Sequence, residues 1–119
     1  MGKIPFEDIQ KMYKDSDLFI FASTCENMPN ILIEAMTAGL PIVCSDKQPM
    51  PEFLKDGAMY FDAKNSNSIE NAIESMIRNI EQRKELAEKS KSYSTKFSWE
   101  KCANETFNFI ANCIKKWKK

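Results

Sequence analysis

Histidine is absent from the 119 residues. That absence removes every chemistry built on an imidazole: a neutral-pH His base, a Ser-His-Asp triad, a His-ligated metal. A CxxC pair is missing too, since Cys25, Cys44, Cys102 and Cys113 stand far apart, so no structural zinc and no other metal is expected. Their apolar surroundings read as those of four small buried side chains in a reducing compartment, with disulfide pairing left open by the even count. Long apolar runs are lacking: the run from Leu18 to Ala22 is typical, far short of the ~20 residues of a spanning helix. Met1 to Glu7 has no apolar core of a signal peptide, so the expected location is the cytoplasm. Net charge is absent as well, at 17 Lys plus Arg against 17 Asp plus Glu. The balance hides a split, because residues 1 to 60 carry 5 basic and 9 acidic side chains and the remainder 12 and 8. The basic end at Lys115, Lys116, Lys118 and Lys119 is read as a solubilised helix terminus; no nucleic-acid partner is expected, and a peripheral contact with the inner membrane face is the one membrane role such an end permits.

What is present is an alternation of short strands and helices. Ile9, Met12 and Tyr13 have the spacing of a short amphipathic helix entered after Pro5. The run Leu18 to Ala22 reads as a buried parallel strand, and Pro29 to Ala38 as a helix ended by Gly39 in the left-handed conformation. Pro41 to Cys44 is the next strand. Pro49 and Pro51 open a short helix to about Lys55, and Asp56-Gly57 turns the chain into a third strand, Ala58 to Phe61. Asn65-Ser66-Asn67-Ser68 caps a helix striped by Ile69, Ala72, Ile73, Met76, Ile77 and Ile80. Glu81 to Tyr93 is a charged helical stretch with Leu86 and Ala87 inward. The last helix starts near Ser98, with Trp99, Ala103, Phe107, Ile110, Ile114 and Trp117 on one face.

This order predicts an α/β fold, a parallel sheet with right-handed connections and a helical C-terminus. Three strands make a narrow sheet beside the usual five or six. With the start at Met1-Gly2-Lys3 directly before a helix, residues 1 to 119 are expected to form one partial domain, the second half of a larger Rossmann-like unit.

The segment Ser23 to Ser45, STCENMPNILIEAMTAGLPIVCS, concentrates the chemistry. Glu26 falls in a loop after a strand and Glu34 in the second turn of the following helix, so both carboxylates are expected at the crevice beyond the carboxyl ends of the strands. The helix start should offer free amides at Asn30, Ile31 and Leu32 to a phosphate oxygen. Carboxylates repel an anion but accept from hydroxyls, which points to a ligand with both phosphate and vicinal diols, such as a nucleotide sugar.

Glu26 and Glu34 with seven residues between, then Ala35-Met36, Gly39, Pro41-Ile42-Val43 and Ser45, resemble the E-x7-E stretch of retaining glycosyltransferases of GT-B architecture. Tyr13, Asp15, the run Ser16 to Phe21, Ser23, Pro51-Glu52, Asp56-Gly57-Ala58, Tyr60-Phe61-Asp62 and Phe97-Ser98-Trp99 follow the same family's order, so the resemblance covers nearly the whole chain. It implies a C-terminal nucleotide-sugar-binding half-domain, with Glu26 at the donor hexose and reacting centre, Glu34 on the ribose, and Asn27, Met28, Pro29, Asn30 and Ile31 lining the sugar and diphosphate. It implies a nucleotide diphosphate sugar as substrate, no cofactor, and a glycan or lipid-linked acceptor held by an N-terminal domain absent from these residues. The chain departs from the family at Asn27, where glycine is common, and lacks the upstream Arg and Lys that neutralise the leaving diphosphate, so it is expected to be inactive alone.

Other features have simpler readings. Ser23 and Ser45 read as turn hydroxyls, Cys25 as an unactivated thiol, the seven Met as core filler and the Trp99 to Trp117 stripe as a packing face, part of it open to self-association if uncovered. A non-catalytic interaction module, completing a separately encoded glycosyltransferase half, is the alternative function. A flavodoxin-like signalling domain is weaker, because Asp15 and Asp17 precede the strand rather than follow it.

Overall fold

The computed structural model describes residues 2 to 118, so Met1 and Lys119, the first residue of the expected abrupt start and the last of the basic end, lie outside the described residues. Its elements run α1 Phe6–Lys14, β1 Phe19–Phe21, α2 Asn30–Ala38, β2 Ile42–Ser45, α3 Met50–Leu54, β3 Met59–Phe61, α4 Ser66–Arg78, α5 Ile80–Ser94 and α6 Trp99–Trp117. The three strands form one parallel sheet in the order β1-β2-β3, as the alternation predicts. Ile20 pairs with Val43, and Cys44 with both Phe21 and Tyr60.

The central strand β2 is buried throughout, and its period of two assigns its side chains to opposite faces. Ile42 and Cys44 join Leu32, Ala35 and Met36 of α2 and Met50 and Leu54 of α3 in the larger core. Val43 goes the other way, into a smaller core with Phe61, with Ala72 and Met76 of α4, and with Leu86 of α5. Helices on both faces explain why the strands read as continuous apolar runs.

Local chemistry sets the helix ends. Gly39, at φ 76°, takes the left-handed terminus of α2, and its N–H donates to Met36 O at 3.0 Å. Asn65 caps α4 by accepting from Ser68 N at 3.2 Å, Asn79 caps α5 by accepting from Gln82 N at 3.0 Å, and Ser98 caps α6 by accepting from Lys101 N at 3.1 Å.

Four expectations change. The stripe of α4 does not extend to Ile77 and Ile80, which are more than half exposed: the chain breaks at Asn79, which leaves the helical region and starts α5. Only Cys44 of the cysteines is buried, because Cys25 lies in a loop and Cys102 and Cys113 lie on a helix that touches no core. Of the methionines, Met36, Met50 and Met76 fill the core, whereas Met28 is exposed in the loop before α2. Finally, α6 buries none of its residues: Trp99 is 75% exposed, Phe107 71% and Trp117 90%. At 1.5 Å per residue its 19 residues span about 28 Å, which accounts for the 60 Å long axis beside widths of 32 and 29 Å.

Candidate functional site

Parallel strands present all their carboxyl ends on one side, and the loops there are residues 22 to 29 after β1, 46 to 49 after β2 and 62 to 65 after β3. Glu26 lies half-buried in the first of these. Asn27 and Met28 are exposed beside it, Pro29 is buried as the residue preceding α2, and Asn30 and Ile31 are exposed in the first turn. The glycine common in the family at position 27 is not required by backbone geometry, because Lys55 is the one non-glycine with positive φ among the described residues. Ser23 and Ser45 serve turns: Ser23 donates to Cys25 O at 3.3 Å, and Ser45 accepts from Lys47 N at 3.3 Å.

The start of α2 is tighter than expected. Asn30 N donates to Met28 O and Leu32 N to Pro29 O, each at 3.0 Å, so two of the three amides expected to be free are already engaged. Among the described residues Ile31 N has no such partner, which leaves it available to an anion.

Glu34 sits one turn further on, and its side chain is exposed rather than enclosed by the helix's buried face. Leu32, Ala35 and Met36 take that face, and a position between them on the sequence points away from it. The carboxylate borders two cavities. One, of about 760 Å³, is also lined by Met28 and Asn30, by Phe53 and Lys55 at α3, and by Tyr93 and Phe97. The other, of about 610 Å³, lies between α1 and α2 and is lined by Ile9, Tyr13 and Thr37. Of the residues singled out from the sequence, Met28, Asn30 and Glu34 therefore share a groove; Glu26, Asn27, Pro29 and Ile31 are not among its lining residues.

Two polar arrangements at this site were not singled out from the sequence. The Tyr13 hydroxyl donates to Glu34 Oε2 at 3.0 Å, and burial, then the bond and charge of Glu34, push the phenol up to about 12. In the sequence Tyr13 reads as an apolar helix position and a family match, and nothing local pairs residues 21 apart. On the far wall, Tyr93 donates to Asp56, which Lys89 also approaches at 3.4 Å; these partners, the phenol first, hold the Asp56 carboxyl below its usual range. Lys55 and Lys96 lie over the Tyr93 ring at 5.3 and 5.9 Å from its centre. Among the described residues no group of three or more Cys, Asp and Glu side chains is arranged to hold a metal ion.

Comparison with known proteins gives the site a context. Residues 1–93 match the model of the family described as glycosyl transferases group 1. O-antigen chain mannosyltransferase B of Escherichia coli is 28% identical over 108 residues, which cover 91% of this chain and 28% of that protein. Sucrose-phosphate synthase from Thermosynechococcus elongatus superposes with a TM-score of 0.85 at 18% identity, covering 98% of this chain and 30% of the other. Anabaena HepE in complex with UDP-glucose superposes at 0.83 with 19% identity, covering 94% and 31%. The chain thus spans less than a third of the length of these proteins. Its narrow parallel sheet and helical end are the C-terminal part of a GT-B fold, and with more than three quarters of its length matched by the family model, the chain belongs to the glycosyl transferases group 1 family.

Proposed function

We propose that this chain is the donor-binding part of a retaining glycosyltransferase that moves a hexose from a nucleotide diphosphate sugar to a glycan or lipid-linked acceptor. The observation that carries this reading is the exposed Glu34 side chain in the second turn of α2, lining a groove with Met28 and Asn30, on the helix whose first turn holds the unengaged Ile31 amide. A carboxylate at that place accepts from vicinal hydroxyls, and a free amide at a helix N-terminus meets a phosphate oxygen. The UDP-glucose held by HepE supports the choice of ligand class. In this reading Glu34 binds the ribose and Glu26 the hexose at the reacting centre. The loop from Asn27 to Ile31 shapes the sugar and diphosphate pocket, in which neither metal nor cofactor takes part.

The acceptor is held by an N-terminal domain outside these residues, and the basic pair for the departing diphosphate lies upstream of them. Lys3, Lys11, Lys14, Lys47, Lys55 and Lys64 are the only basic side chains before Arg78, and none stands where the family places that pair. The work is assigned to the cytoplasm, with the basic end as the part nearest an inner membrane face. Among the described residues no helix is long and apolar enough to cross a membrane.

The test separates the two carboxylates. In an enzyme that joins this domain to its acceptor domain, Glu34→Ala should weaken nucleoside diphosphate and nucleotide sugar alike, by roughly 10- to 150-fold for a charge-assisted bond. Glu26→Ala should weaken only the nucleotide sugar and reduce turnover. Equal losses for both ligands in both variants would refute the assigned roles.

A second reading, an interaction module that completes a separately encoded glycosyltransferase half or pairs with itself, is favoured by two observations. The whole apolar face of α6 is uncovered, and β1 stands at the edge of the sheet with Ile20 47% exposed.

A further inference from the structure

We propose that Tyr13 is a positioning residue for Glu34, holding one carboxylate oxygen so that the other is presented to the ribose of a nucleoside diphosphate; the inference rests on the nucleotide reading above. The Tyr13 hydroxyl donates to Glu34 Oε2 at 3.0 Å, from α1 to α2. Its ring is anchored: it is half-buried against the larger core and lies 6.1 Å from the Phe19 ring at an angle of 59°. An anchored phenol has little freedom, whereas a glutamate on an exposed helix face has three rotatable bonds. The bond therefore transfers order from the core to the carboxylate.

Nothing else does so. Among the described residues no Lys or Arg pairs with Glu34, and no other donor reaches it. An ionised carboxylate has about four acceptor directions, and Tyr13 uses one of them. Oε1 carries no hydrogen bond among the described residues, and Glu34 lines both cavities one turn beyond the groove-lining Asn30. A ligand hydroxyl can then bind without first ordering the side chain, which lowers the entropic cost of association. Because the phenol keeps its proton well beyond neutral pH, it stays a donor wherever the enzyme would work.

The consequence is selectivity for ribose over deoxyribose as well as affinity. The experiment titrates the chain with UDP, GDP and ADP and with their 2′-deoxy counterparts, following amide shifts from Glu26 to Leu32. Tyr13→Phe, which keeps the ring in the core, should weaken the tightest ribonucleotide by roughly 3- to 10-fold. It should also draw the ratio of ribo to deoxyribo affinity toward one, a change that looser packing alone would not produce. Glu34→Gln should lose at least as much, and adding Tyr13→Phe to it should cost nothing further. If Tyr13→Phe binds like the parent with its ratio unchanged while Glu34→Gln loses affinity, the positioning role is wrong and the nucleotide reading stands. If Glu34→Gln changes nothing, the nucleotide reading itself falls, and this inference with it.

Discussion

Lys55 and Gly57 divide between them what an Asp-Gly turn suggests glycine should do alone. The turn closes where Gly57 N donates to Leu54 O at 2.7 Å, and its unusual backbone falls on Lys55, at φ 49° and ψ −119°. Tyr60, donating to Lys55 O at 2.6 Å, helps hold it there. Gly57 is required for space instead: an added Cβ would lie 2.9 Å from both Leu54 O and Ser90 N. Lys55→Gly should therefore stabilise the chain by about 1 kcal/mol, as relief of strain outweighs the extra freedom of the unfolded state, while Gly57→Ala should cost about 1 to 3 kcal/mol. Thermal melts of the two variants should shift in opposite directions. The cysteines also divide by environment. Cys25, Cys102 and Cys113 should react quickly with a thiol reagent under native conditions and Cys44 only on unfolding, since burial pushes its thiol up to about 12 from 9.0. Raised acidic groups give a pH dependence of known sign. The folded state holds the protons of Cys44 and Tyr13 more tightly than the unfolded chain, so stability is intact below about pH 9 and falls between there and about 12. Denaturation midpoints against pH would check this, and Cys44→Ala should begin the fall later.

At the scale of the element, α4 and α6 show that periodicity reports a capacity for burial rather than burial itself. Both are capped, amphipathic and striped at helical spacing. α4 buries Ala72 and Met76 in the smaller core, and α6 buries none of its residues. Substitutions should separate them: Phe107→Ser or Ile110→Ser on α6 should move the stability of this chain by no more than about 0.5 kcal/mol. Met36→Ala or Met76→Ala should cost about 2 to 5 kcal/mol, because each empties a fully enclosed site. Urea titrations of the four variants would decide. A large loss on α6 would mean that its face is covered in solution.

For the whole molecule, the parallel sheet aims three loops at one side, the usual place for a ligand in an open α/β fold. One of the loops carries Glu26, and the helix leaving it carries Glu34. Supplying that crevice does not supply the reaction. The charge that develops on the departing diphosphate needs donors placed in advance, and removing a single such donor can be worth about 3 to 4 kcal/mol. The chain alone should therefore show no transfer from any nucleotide sugar even at high concentration, as judged by release of nucleoside diphosphate; turnover by a homogeneous sample would overturn the proposed division of labour.

The sequence by itself determined the order of elements, the parallel sheet, a cap within Asn65 to Ser68 and one near Ser98, the left-handed end at Gly39 and the family. These rest on interactions within a few residues and on hydrophobic periods of 2 and 3.6, which are written along the chain. Only the tertiary structure decided that Ile77 and Ile80 face out, that one cysteine of four is enclosed, that Asn30 and Leu32 spend their amides locally, and that Tyr13 reaches Glu34. Apart from the two amides, which bond only two and three residues back, each depends on which surfaces meet across the fold. The same apolar stripe or the same carboxylate fits several such arrangements, and packing selects one.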